Sequence, residues 1–256
     1  MRVNSESMLT TDGHLLAGRV RYSQPKEGFR SALEPVLLAA AVLARPGETV
    51  LEGGTGAGAA LLCLAARVPG LRGIGVELDS GLAALAHANA AANRQEGLSI
   101  VMGDVTTLCL SDVAPGGFHH AFANPPYHAP GGTPSPIADR ERAKRGSAAM
   151  LVAWAKALGG QVRRRGTLTF IVPAFTLESC LAAMTAAGCA PAAVLPLWPR
   201  SGRSAKLILV QGIKDSRSPL RLLAGLTLHQ DDGGFTQEAE AVLRSGAALP
   251  MRLDPA

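Results

Sequence analysis

Thr49-Val50-Leu51-Glu52-Gly53-Gly54-Thr55-Gly56-Ala57-Gly58 runs a short apolar strand into four glycines, and the Ala/Leu-rich stretch 59–68 behind it reads as a helix stopped by Pro69-Gly70. Glycines at such a turn let the backbone bend sharply and approach a ligand that a Cβ would keep away. Upstream, 35–43 reads as a helix ended by Arg45-Pro46-Gly47. Downstream, strands at 73–76, 98–102, 118–123 and 166–172 alternate with helices at 80–93, 147–158 and 175–187, with a weak helix after Asp104 and a Pro/Gly-rich loop at 128–136. This alternation specifies an α/β fold, a mostly parallel sheet with helices on both faces. The final extended segments, 193–197 and 205–211, are joined by a loop, which predicts an antiparallel hairpin at one edge of the sheet. In an open parallel sheet, ligands bind beyond the carboxyl ends of the strands.

The chain has 256 residues, 47% of them apolar and 18% charged, enough for a hydrophobic core and incompatible with a disordered or fibrous chain. Its longest uninterrupted apolar run, Val36 to Ala44, is far too short to span a membrane. The opening residues lack a basic stretch leading into an apolar one, so a cytoplasmic location is expected. Cys63, Cys109, Cys180 and Cys189 form no C-x-x-C pair and read as reduced core thiols, and the scattered histidines give no metal site. The net charge of +5 is unevenly placed. From Arg140 to Arg165 eight basic residues face a single Glu141, and from Arg200 to Arg221 six face a single Asp215. Such concentration suits a polyphosphate partner, although an Arg-rich solvated surface gives the same count.

Two chemistries compete for the glycine loop. Gly54-x-Gly56-x-x-Ala59 loosely fits a dinucleotide fingerprint. Glu52-x-Gly54-x-Gly56-x-Gly58 fits equally the acid-plus-glycines loop of S-adenosylmethionine enzymes, where the acid faces the methionine ammonium. A pyrophosphate would be repelled by an ionised Glu52, which favours the sulfonium cofactor. Glu77, at the end of the second strand, stands where a carboxylate accepts hydrogen bonds from both ribose hydroxyls. Asp104, after the third strand, is placed either to accept from an adenine amino group or to cap a helix. The neighbouring Leu78 and Val105, and Asn124 after the fourth strand, join them in the candidate cofactor set.

Directly after the fourth strand comes Asn124-Pro125-Pro126-Tyr127. With 17 prolines in 256 residues, about one Pro-Pro pair arises by chance, so the weight lies on the flanking Asn and Tyr and on the position. A stiff turn is the plain alternative. The functional reading concerns an exocyclic amine, whose lone pair is delocalised into its ring. Two acceptors, the Asn124 side-chain oxygen and the Pro125 carbonyl, favour a pyramidal nitrogen with its lone pair free for in-line attack on a methyl group. The Pro125 and Pro126 rings hold those acceptors rigidly. Tyr127 offers a flat face on which a flipped base or planar amide stacks.

With the glycine loop, Glu77, Asp104 and Asn124-Pro125-Pro126-Tyr127 in this order, the sequence resembles the class I S-adenosylmethionine-dependent methyltransferases of the branch that methylates amino nitrogen. More narrowly it is similar to the bacterial tRNA(Val) adenine-N(6) methyltransferase family, through Gly28-Phe29-Arg30-Ser31, the run 35–40, the tail 203–210, and the segments 226–229 and 235–239. The resemblance implies a Rossmann-like seven-stranded sheet with the last strand antiparallel. It implies a leader, residues 1–34, folded over the cofactor site of a methyltransferase domain spanning 35–256, so Arg30 and Ser31 are expected to line the pocket. It implies a tRNA or other RNA substrate gripped by Arg142, Lys144, Arg145, Arg163, Arg164, Arg165, Arg200, Arg203 and Lys206. Methylation of a protein glutamine, or of a DNA or rRNA amine, uses the same quartet, and a non-catalytic binding module is a third reading. Two positions depart from the family pattern: Glu34 stands where relatives usually have Asp, and Gly53 where they usually carry an aliphatic residue beside the acid.

Overall fold

The computed structural model describes residues 9–27, 33–126 and 137–251, with side chains in the last segment from 148 onward. The chain opens with an antiparallel hairpin of β1 (Thr10–Leu15) and β2 (Val20–Pro25). Helix α1 (Glu34–Ala41) precedes β3 (Thr49–Gly53), α2 (Ala59–Arg67), β4 (Arg72–Glu77), α3 (Ser80–Ala92), β5 (Leu98–Met102) and β6 (Phe118–Ala123). After them come α4 (Ile137–Gln161), β7 (Val162–Pro173), α5 (Leu177–Ala186), β8 (Cys189–Trp198), β9 (Leu207–Lys214), two short strands β10 (Arg221–Leu222) and β11 (Leu226–Thr227), and α6 (Gln237–Ser245).

The main sheet has the order β10-β8-β9-β7-β6-β3-β4-β5, with β11 also paired to β8. Strands β3 to β7 run parallel. β9 runs antiparallel to both of its neighbours, β7 and β8. The expected antiparallel hairpin therefore forms, but its second strand turns inward between β7 and β8 instead of ending the sheet. Among the described residues the sheet has nine strands rather than seven, because β10 and β11 pair beside β8 and take the edge. Each has two residues, too short to leave a periodic signal.

Two apolar layers hold the sheet. One packs α1, α2 and α6 with the hairpin residues Leu16, Val20 and Tyr22. The other packs Leu151, Ala155 and Leu158 of α4 and Cys180, Ala183 and Met184 of α5 on the opposite face. Three cysteines are buried, as expected of core thiols, whereas Cys109 is exposed. Its segment, read as a weak helix after Asp104, makes only turns there, so no helical face exists to bury the thiol. Among the described residues no helix is long and apolar enough to cross a membrane.

Candidate active site

The glycine loop leaves the carboxyl end of β3 between β6 and β4. Gly54, Gly56 and Gly58 all have left-handed backbone angles, with φ of 63°, 56° and 89°, which a side chain would strain. Gly54 has a second reason to lack a Cβ: one built there falls 2.7 Å from Cη2 of Trp154. At Gly53 an added Cβ falls 3.0 Å from Val105 Cγ2 and 3.1 Å from a Leu158 methyl. The departure at Gly53 is thus accounted for, because Val105 and Leu158 fill the place that an aliphatic side chain would take. Gly56 has open space around its missing Cβ, a backbone surface left bare.

Glu52, Gly54, Gly56 and Asn124 line one pocket, together with Tyr22 and Pro25 from the hairpin. Asn124 reaches it because β6 pairs with β3 and sets Ala123 beside Gly53. Pro125 is buried and Pro126 exposed. Tyr127, like Arg30 and Ser31, lies outside the described residues.

Glu52 is 4% exposed. Its Oε2 accepts from the Thr55 hydroxyl (2.5 Å) and from the Leu61 N–H in the first turn of α2 (3.2 Å). Burial pushes its pKa up to about 8, against the two hydrogen bonds and with help from Glu77. Glu52 is thus largely protonated at neutral pH, which corrects the simple charge argument: a neutral acid does not repel a pyrophosphate. What the burial does create is a strong preference for a neighbouring cation, since a positive charge restores the carboxylate.

Glu77 accepts from the Gly56 N–H (2.8 Å) and the Asp79 N–H (3.0 Å), one on each oxygen. It therefore clasps the glycine loop, and each oxygen keeps a further lone pair for a ligand hydroxyl. Leu78 beside it is 69% exposed, an apolar side chain held up at the carboxyl end of β4. Asp104 braces a turn rather than a helix: its Oδ1 accepts from the Thr106 N–H (2.8 Å) and hydroxyl (2.7 Å). Those bonds, the hydroxyl's first, hold its pKa below the usual carboxylate value. Val105 is buried beneath Gly53 and supports the loop from within.

The basic residues divide between the two ends of the sheet. Lys206 precedes β9, whose first residue pairs with Pro173 at the carboxyl end of β7. Arg200 and Arg203 follow β8 at that same end, the end of Asn124. Arg142, Lys144 and Arg145 lie on the first turns of α4, described in backbone only. Arg163, Arg164 and Arg165 lie at the amino end of β7, beside the start of β6. At about 3.3 Å per residue, this is roughly 15 Å from Asn124.

Several residues escaped the sequence reading. Trp154 covers the glycine loop, and as one of only two tryptophans it was the one available signal. Phe175, 66% exposed, follows β7 between Asn124 and the basic loop; its position after a strand was visible, its exposure was not. Asn89 joins the hairpin to the loop, donating to the Ser23 and Ala57 carbonyls and accepting from the Ser23 N–H.

No known protein-family profile matches the chain, and no curated protein matches it. Solved structures do. An Agrobacterium tumefaciens protein described as a predicted O-methyltransferase aligns with TM-score 0.68 at 23% identity, over 84% of this chain and 98% of that one. A Listeria monocytogenes protein described as a putative class I S-adenosylmethionine-dependent methyltransferase aligns with TM-score 0.53 at 16% identity, over 75% of this chain and 63% of that one. The geranyl diphosphate C-methyltransferase of Streptomyces coelicolor gives 0.50 at 14%, over 70% and 76%. A parallel sheet with one antiparallel strand near its edge, helices on both faces and a glycine loop after its central strand gives this chain the class I S-adenosylmethionine-dependent methyltransferase fold.

Proposed function

We propose that the protein is an S-adenosylmethionine-dependent N-methyltransferase whose substrate is the exocyclic amine of adenine in tRNA. The observation that carries this reading is the position of Asn124 in the same pocket as Glu52, Gly54 and Gly56. The residues present suit the cofactor. Bare backbone at Gly56 admits a close ligand, buried Glu52 favours an ammonium, Glu77 keeps lone pairs for ribose hydroxyls, and exposed Leu78 offers apolar cover to a purine. When bound, S-adenosylmethionine supplies an electrophilic methyl on a good leaving group.

The chain's own task is then positioning. The Asn124 side-chain oxygen and the Pro125 carbonyl accept the two N–H groups of the amine and turn its lone pair toward the pocket, and Tyr127 stacks on the base. The proline nitrogens carry no N–H to compete for these contacts. The hairpin residues Tyr22 and Pro25 line the same pocket. Arg200, Arg203 and Lys206 share the carboxyl end with Asn124 and supply the phosphate contacts; Phe175 lies between them as a second surface for a base.

The Agrobacterium neighbour bears an O-methyltransferase description, but at 23% identity the shared property is the fold. The amine assignment rests on the quartet at 124–127. Calorimetry with S-adenosylmethionine, followed by labelled methyl transfer to bulk tRNA and to a cell's translation factors, tests it. Transfer to tRNA supports the reading. Transfer to a protein glutamine replaces the substrate, and binding without transfer makes the protein a binding module.

A further inference from the structure

At the amino end of the sheet, opposite the glycine loop, the β6–β7 ladder breaks. Phe118 pairs with Val162 and His120 pairs with Thr167, so β7 spends four residues, Arg163-Arg164-Arg165-Gly166, where β6 spends His119 alone. The bulge is tightly built. A Cβ at Gly166 would fall 2.6 Å from Val162 Cγ1 and 2.7 Å from the His119 carbonyl. One at Gly117, itself left-handed at φ 86°, would fall 2.8 Å from the Arg163 nitrogen. Arg165 adopts φ 65°, a left-handed angle rare for a residue with a long side chain. Bulges of this kind re-aim side chains, and backbone strain gathers where a structure uses it.

Three consecutive exposed arginines are thereby lifted out of the ladder. Two of them, Arg163 and Arg165, line a polar hollow with Arg45, Glu48, His119 and His120. Glu48 is already committed, its Oε2 accepting from the Arg45 N–H (2.9 Å) and meeting His120 Nε2 (2.9 Å). Burial raises the Glu48 pKa, but these bonds and the histidines outweigh it and leave the group below its ordinary value. His119 Nδ1 accepts from the Thr49 N–H (3.1 Å), so in the neutral ring the proton sits on Nε2, a donor. Arg165 uses one guanidinium N–H on the Ser216 hydroxyl (3.2 Å) and keeps the others. The hollow is thus lined by three arginines and His119, a donor in its neutral form, against a single, already engaged carboxylate.

We propose that this hollow is a second binding site, for a phosphate group, held by Arg163 and Arg165 from the bulge with Arg45 and His119. Planar guanidinium forks suit an oxyanion bidentately. The site is about 15 Å from Asn124 along β6, and it does not depend on the methyl-transfer reading. Its phosphate comes either from a polynucleotide backbone or from a small phosphorylated compound.

Inorganic phosphate titrated into the full chain, followed through the His119 ring resonances by NMR, tests the site. Saturable shifts are expected, and Arg163→Gln with Arg165→Gly should weaken the affinity at least tenfold. Arg165→Gly also relieves the left-handed angle, so that single variant removes the guanidinium without adding backbone strain. Unsaturable shifts, or unchanged phosphate affinity in the variants, overturn the proposal. S-adenosylmethionine affinity should stay unchanged in both variants; its loss would mean the bulge acts on the fold and sink the assignment. A parallel titration with tRNA identifies the source. If an RNA backbone fills the site, the double variant flattens the salt dependence of tRNA binding by about one or two contacts; if a small compound does, tRNA binding is unaffected while phosphate binding falls.

Discussion

Glu52, the last residue but one of β3, has a buried carboxyl whose pKa burial pushes up to about 8. The native state therefore holds a proton that the unfolded chain releases near its ordinary value of 4.5. This contribution to stability is complete below that value and is lost as pH rises toward 8. Glu52→Gln, which keeps an acceptor for Thr55 and Leu61, should raise the melting temperature more at pH 8 than at pH 5; an equal change at both would mean that Glu52 does not titrate in this way. The same variant should weaken S-adenosylmethionine binding at pH 8, where the ammonium would otherwise meet a carboxylate. Gly54→Ala meets both a left-handed angle and the Trp154 ring, and should cost about 1–3 kcal/mol in denaturant unfolding. Trp154→Phe, which removes Cη2, should restore part of that loss; no restoration would leave the backbone angle as the whole cause. At this scale the letters were informative about place and silent about environment. Acid and glycines at residues 52–58 mark the ligand loop, but the burial that protonates Glu52, against the hydrogen bonds from Thr55 and Leu61, arises only when the chain packs.

Among the elements, the leader hairpin has the most specific attachment. Asn89 in the last turn of α3 and Asn93 just past its end bond the backbone of Ser23 and Arg21, two apart on β2, so their amides replace a neighbouring strand. Asn89 also holds the Ala57 carbonyl of the glycine loop. Asn89→Ala orphans these backbone groups at a cost of about 1–3 kcal/mol. Amide hydrogen exchange over residues 20–25 should accelerate, and cofactor affinity should fall severalfold. Unchanged exchange would show the hairpin to be held by its apolar contacts alone. The core strands β3 to β7 were readable because buried parallel strands are short apolar runs between helices. The hairpin was not, since Thr10–Leu15 and Val20–Pro25 mix polar and apolar residues, and the two asparagines look like ordinary polar positions on an Ala-rich helix. α6 gave one local sign, Thr236, whose hydroxyl caps the Ala239 N–H. The inward turn of β9 follows from long-range pairing that periodicity does not encode.

For the whole molecule, the sheet separates two kinds of basic surface that composition merges. Arg200, Arg203 and Lys206 lie at the carboxyl end with the glycine loop and Asn124, while the arginine bulge lies at the amino end. The two clusters are close to equal in sequence charge, and only strand direction distinguishes them. Substituting Arg200 and Arg203 by Gln should therefore lower methyl transfer to RNA by tenfold or more while sparing S-adenosylmethionine affinity; unchanged transfer would remove them from the substrate path. The central claim is that Asn124 presents an adenine amine to a methyl donor bound at the glycine loop. Nucleoside mass spectrometry of tRNA incubated with the protein and S-adenosylmethionine tests it most directly. The account predicts methyl groups on the exocyclic nitrogen of adenine, reduced about 100-fold or more with Asn124→Ala. Methylation elsewhere on the nucleoside, or undiminished in the Asn124 variant, would contradict it.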